Sequence, residues 1–207
     1  MRRAFNRHNA ELRRGDVWAV LDALAAWNRD EALPFVGRLD LSRVGMSGHS
    51  FGARTTQSVS GQRPRPDAPN DERLKAAVVM SPSAPRGIER GVAFGAVELP
   101  WLLMTGTNDV TKIGGADMAS RLAVYPALPP GGKYELVLDG AEHSVFADPL
   151  SRKRPSRKRN PNHPRVILAL STAFWDAYLR EDAAALAWLD GDGPRGVMEA
   201  GDRWQFK

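Results

Sequence analysis

The chain contains no cysteine, which excludes disulfides, thiol nucleophiles and zinc–thiolate centres. It has no apolar run approaching the roughly 20 residues that span a bilayer. The basic start, Met1-Arg2-Arg3-Ala4-Phe5-Asn6-Arg7-His8, is followed by polar and charged residues to Asp16, so no secretory signal is legible. As written, the sequence reads as cytoplasmic; export stays open if an upstream segment carries a signal. Gly45, Gly48 and Gly52 do not form G-x-G-x-x-G and no G-x-x-x-x-G-K-[ST] occurs, which leaves nucleotide binding unsupported. The four histidines never stand at metal-ligand spacing, and no cofactor or metal is expected. Asp190-Gly191-Asp192-Gly193 lacks the later ligands of a calcium loop and reads as a turn.

What is present is a globular composition: 207 residues, 43% hydrophobic and 26% charged, enough for one domain with a packed core. The net charge of +5 is local. Arg152, Lys153, Arg154, Arg157, Lys158 and Arg159 supply six bases in one stretch, leaving 23 bases against 24 acids elsewhere. A broad nucleic-acid-binding face is therefore not expected, and no aromatics interleave with the basic run to stack bases. Residues 151–164 read as a basic, Pro-containing loop insertion. It is either a solvated loop or a patch that holds an anionic substrate, surface or other partner.

Residues 9–27 read as a helix, with Val17, Leu21 and Leu24 on one side. A strand over 41–47 then runs through a tight turn into a polar helix over 51–60. A surface loop over 61–73 follows, rich in Pro and charge. Residues 76–80 and 101–104 are continuous apolar runs suited to strands covered on both faces, and 134–138 is another. A loop-rich segment over 81–99 and a helix over 116–124 lie between them. Helices over 166–180 and from the N-cap Asp182 to Leu189 close the chain. Strands alternating with helices imply a parallel α/β sheet.

The sharpest chemical signal is Gly48-His49-Ser50-Phe51-Gly52, a G-x-S-x-G where strand turns into helix. Such a turn projects the serine Oγ outward on a strained backbone, and a side chain at Gly48 or Gly52 is expected to collide with the adjoining elements. The N–H of Phe51, at the helix start, faces the place where a tetrahedral oxyanion would form. A serine needs a base. His8 lies in the basic N-terminus, His49 is expected to point away from Ser50, and His163 sits in the tail of the basic loop. His143 follows the strand 134–138 by a short loop, 139–142, and so hangs at the carboxyl edge of the sheet, where catalytic groups of open α/β sheets gather. The imidazole in turn needs an orienting carboxylate. Asp109, at the end of the strand beginning at Trp101, is the best placed; Asp139 and Glu142 share the loop of His143, and Asp148 precedes Pro149.

The order Ser50, Asp109, His143 is that of the α/β-hydrolase fold. The chain resembles the dienelactone-hydrolase-like and platelet-activating-factor-acetylhydrolase-like serine esterases of bacteria. The resemblance rests on Arg38-Leu39-Asp40 leading into Val44-Gly45-Met46-Ser47-Gly48-His49-Ser50-Phe51-Gly52-Ala53, on Thr105-Gly106-Thr107-Asn108-Asp109, on Gly140-Ala141-Glu142-His143-Ser144-Val145-Phe146 and on Ala173-Phe174-Trp175-Asp176-Ala177-Tyr178-Leu179-Arg180. It covers residues 13–189. It implies hydrolysis of a small-molecule carboxylic ester through an acyl-enzyme on Ser50, with His143 as base and acid. Dienelactone hydrolases themselves carry Cys at the nucleophile position, so Ser50 moves the expectation toward ordinary esters.

The sequence departs from that family at its start. Four strands and the loop carrying a second oxyanion donor normally precede the helix that leads into the elbow, and none stands before Ser50 here. The expectation is an N-terminally truncated α/β-hydrolase domain over 1–207, with about four strands and an elbow strand left as an open edge with an uncovered apolar face. Losing one oxyanion donor typically costs on the order of 10²–10³ in turnover, so weak activity and poor stability are expected of the chain alone. The alternative is a catalytically silent fragment whose basic loop binds an anionic partner. Acyl length, alcohol group and oligomeric state are not legible.

Overall fold

The computed structural model describes residues 7–63, 71–111, 116–147 and 160–207. The six bases of the basic run and the alternative acid Asp148 lie outside the described residues.

A five-stranded sheet forms the centre, in the order β1 (Val44–His49), β2 (Leu74–Met80), β3 (Trp101–Asn108), β4 (Lys133–Glu142), β5 (Arg203–Phe206). The first four strands are parallel and β5 is antiparallel to β4. The apolar runs in β2 and β3 have the continuity that two covered faces require, and successive side chains serve opposite cores. Ala76, Val78, Leu102 and Met104 point into one cluster with Tyr134, Leu136 and Leu138 of β4. Ala77, Val79, Trp101 and Leu103 point into the other.

The first cluster is closed by Val166, Leu170 and Phe174 of a long helix, α6 (Asn162–Leu179), with Leu189 at the end of α7 (Ala183–Leu189) behind it. The second is closed by Ala53 of α2 (Phe51–Val59), by Phe94 of α3 (Arg90–Phe94) and, past α4 (Met118–Leu122), by Val124 and Tyr125 of α5 (Val124–Ala127). The first helix, α1 (Arg7–Trp27), buries only Leu21 among its apolar residues, against Val59 and Leu74, with Val17, Val44 and Met46 around them.

The expected elements form, with physical differences. Residues 139–142, expected as a loop, continue β4 to Glu142, and His143 opens a 3-10 turn, His143–Phe146. The segment 81–99 contains α3, which Glu89 caps by accepting from the N–H groups of Gly91 and Val92. The helix expected over 116–124 is two short ones, with Ala123 ending α4 and opening α5. Pro161 does not hold helix off but is the N-cap of α6, where a missing N–H costs nothing, so the insertion does not reach residue 164. The expected count of about four strands is exceeded by β5, which is carried by Trp204 stacked on Tyr134 at 5.5 Å. Among the described residues β1 pairs only with β2, as expected of an edge strand, and its apolar faces are only half-covered. Val44 and Met46 meet the Leu21 cluster, while a Cβ on Gly45 would lie 2.5 Å from the Trp175 ring of α6.

Candidate active site

The residues immediately after the four parallel strands are Ser50, Ser81, Asp109 and His143. The parallel register carries all four to one rim, the carboxyl edge where strand carbonyls run out of strand partners. Two of those carbonyls are taken by the residues in question: Ser50 N–H donates to Met80 O at 3.0 Å and Ser81 N–H to Met104 O at 2.7 Å.

Ser50 Oγ lies 2.8 Å from His143 Nε2, and His143 Nδ1 lies 2.7 Å from Asp109 Oδ1. Arg121 Nη2 also stands 3.3 Å from Nδ1, but a guanidinium only donates. The shorter contact, to an acceptor, selects the tautomer with the proton on Nδ1, which leaves the Nε2 lone pair for the Ser50 hydroxyl. A hydroxyl whose proton has such an acceptor can attack an electrophilic carbon. The three residues read from the sequence as a set are thus in direct contact, across 93 and 34 positions of chain.

Asp109 is fully buried and satisfied on both oxygens. Oδ2 accepts from Ser81 Oγ at 2.7 Å and from Thr105 Oγ1 at 2.9 Å, while Oδ1 takes His143 and an ion pair with Arg121 at 3.0 Å. Burial by itself pushes this carboxyl up, but the bonds from His143 and Ser81 and the Arg121 charge outweigh it and hold the pKa below the ordinary carboxylate value. Arg121, 1% exposed, spends its other donors on backbone: Nε to Asp109 O at 2.6 Å, Nη1 to Ser81 O at 2.8 Å and to Pro82 O at 3.1 Å. One cation therefore ties the β2 and β3 exits together. Ser81, Thr105 and Arg121 were not singled out from sequence. Ser81 had a usable signal, the position directly after a buried strand; Arg121, twelve residues past Asp109 on a separate helix, had none.

His49 packs beside His143. Its ring lies 4.5 Å from that of His143, centroid to centroid, and 6.3 Å from Phe146. Burial, then the His143 and Arg121 charges, pull its pKa down to about 4 against the opposing effect of Asp109, and its Nε2 is buried without a hydrogen-bond partner. It is a neutral ring packed beside His143 at neutral pH. The elbow itself is strained, with Ser50 at φ 59°, ψ −109°. A Cβ on Gly48 would sit 2.4 Å from Gly52 O and 2.6 Å from Thr56 Oγ1, so that glycine is required by space. Gly52 is not: an added Cβ there meets nothing within 4 Å, contrary to the sequence reading.

The other candidates lie elsewhere. Asp139 and Glu142 belong to β4; Asp139 Oδ1 accepts from Thr107 Oγ1 at 3.2 Å. His163 is no loop residue but a buried member of the first turn of α6, its Nε2 bonded to Asp139 O at 3.0 Å, and His8 is exposed on α1. Phe51 opens α2 beside Ser50, its ring under the Arg13 guanidinium at 4.6 Å. A pocket opens beside Ser50, lined by Phe51, Arg54, Ser81, Ser83, Ala116 and Arg121. Among the described residues no group of acids and histidines is arranged to hold a metal, and no helix is long and apolar enough to cross a membrane. Compared with known proteins, the chain matches no family model and no curated protein.

Proposed function

We propose that this chain is a serine hydrolase of the α/β-hydrolase type that cleaves carboxylic esters, with Ser50 as nucleophile, His143 as base and acid and Asp109 as orienter. The observation that carries the reading is the unbroken relay from Ser50 Oγ through His143 to Asp109, at 2.8 and 2.7 Å, at the carboxyl edge of a largely parallel sheet. The resemblance to dienelactone-hydrolase-like and acetylhydrolase-like esterases in the elbow and in the acid and histidine motifs supports the same chemistry.

The steps follow from the proton positions. His143 Nε2 takes the Ser50 proton as Oγ bonds to the ester carbon, and the carbonyl π pair moves onto oxygen, facing the Phe51 N–H. The carbonyl re-forms, the C–O bond to the alcohol breaks, and Nε2–H gives its proton to the departing oxygen. Water then enters; Nε2 removes its proton, hydroxide adds to the acyl carbon, and the proton returns to Ser50 Oγ as the acid leaves. Throughout, the ionised Asp109 holds Nδ1–H and offsets the imidazolium charge.

A fluorophosphonate probe tests the reading. Covalent labelling is expected on Ser50, abolished in Ser50→Ala and reduced by several orders of magnitude in His143→Ala. A folded sample that takes no label, or one labelled equally after Ser50→Ala, overturns the proposal and leaves the silent alternative standing.

A further inference from the structure

Two arginines line the pocket beside Ser50, and of these Arg121 is paired with Asp109 while Arg54 has no acid against it among the described residues. Arg54 stands one helical turn after the nucleophile on α2 and lines the same pocket. Its Nε donates to Ser83 Oγ at 3.2 Å. Ser83 is itself fixed: its N–H donates to Gln57 Oε1 and its carbonyl accepts from Gln57 Nε2, both at 3.2 Å, and Gln57 is fully buried. Gln57, three residues on from Arg54 in the same helix, thus fixes the Ser83 that holds the guanidinium by one edge. Its Nη edge has no carboxylate partner among the described residues. Arg86 acts on Arg54 as a like charge, and Arg13 lies over the Phe51 ring. The acid nearest the nucleophile, Asp109, is already shared between His143 and Arg121.

A guanidinium held by its Nε, whose Nη donors have no carboxylate partner among the described residues, is suited to receive a planar anion bidentately. We infer that the ester carries a carboxylate, bound by Arg54, so that the preferred substrate class is the half-ester of a short dicarboxylic acid. This deepens the proposed hydrolase and rests on it. Arg54 is then a specificity-determining residue, and it narrows the ordinary esters expected from the sequence to anionic ones.

The test compares monoethyl succinate with ethyl butyrate, which match in acyl chain length and differ in charge, by release of ethanol from the full chain. The expected kcat/KM ratio favours the anionic ester by about tenfold or more at low salt, the worth of one charge-assisted hydrogen-bonded pair. Arg54→Gln should lower that ratio at least tenfold and Arg54→Lys by less. Because both esters are measured on the same sample, poor folding cannot change the ratio. A ratio at or below one, or one unmoved by Arg54→Gln, overturns the inference; if fluorophosphonate still labels Ser50, the hydrolase reading survives it. If no label and no turnover occur, the hydrolase reading fails, and the anion site is decided by titrating monoethyl succinate into Ser50→Ala by NMR. Saturable shifts that vanish in Ser50→Ala/Arg54→Gln support the site, and their absence overturns it.

Discussion

Gly48 and Gly52 flank Ser50 symmetrically in the sequence and unequally in space. Gly48→Ala must push its Cβ into the backbone of Gly52, a clash no rotamer relieves, and should cost about 1–3 kcal/mol of stability together with most of the reactivity of Ser50. Gly52→Ala meets open space on a helix and should leave stability unchanged or raise it by up to about 1 kcal/mol. Chemical denaturation of the two variants checks both signs. His49 supplies a second residue-scale expectation. Its folded pKa, about 4, lies below the 6.5 of an unperturbed histidine, so between those values the unfolded chain binds the proton and the folded chain does not. The stability this neutral ring contributes is present at pH 7 and falls as pH is lowered through that window, by about 1–2 kcal/mol between pH 7 and pH 5. Urea unfolding at the two pH values should show a smaller difference in His49→Leu; an equal difference would place the proton uptake elsewhere.

Each parallel strand delivers one residue to the rim, and the delivery is only as exact as the turn that follows it. The turn after β2 is held by Ser81 in the left-handed region, φ 61°, with its hydroxyl on Asp109 and its carbonyl on Arg121. Ser81→Ala leaves Asp109 Oδ2 with Thr105 alone. The expected loss is about 1–2 kcal/mol of stability, and fluorophosphonate labelling of Ser50 should slow several-fold without being abolished. Unchanged labelling would mean that Thr105 and Arg121 suffice to orient the carboxylate. At this scale the sequence was readable where an element end coincides with a chemical motif. Ser50, Asp109 and His143 each follow an apolar run and each carry a familiar catalytic side chain. Arg121 was illegible because it satisfies carbonyls whose positions depend on two separate strand exits, those of β2 and β3. The packing of His49 was illegible for a related reason: it depends on where His143, far along the chain, brings its ring.

Across the whole molecule, the alternating strands and helices were legible because β2 and β3 are buried on both faces and read as unbroken apolar runs. β5 was not, since a four-residue antiparallel edge strand is too short to have a period, and its partners, among them Tyr134 stacked on Trp204, lie far away in the chain, 70 positions in that case. The stretch of β4 past Leu138 looked like a loop because Gly140 interrupts it; the strand persists because Gly106 of β3 packs directly on Ala141, where a Cβ would lie 2.3 Å from Ala141 O. What the fold achieves is to bring three distant positions into one hydrogen-bonded chain. The most direct measurement of that claim is ester turnover in Ser50→Ala, His143→Ala and the double variant. Groups acting as one unit give grossly non-additive losses, so each single substitution should cost on the order of 10⁴–10⁶ in kcat and the double no more than the worse single. Losses that multiply in the double variant, or full turnover after Ser50→Ala, would contradict the account.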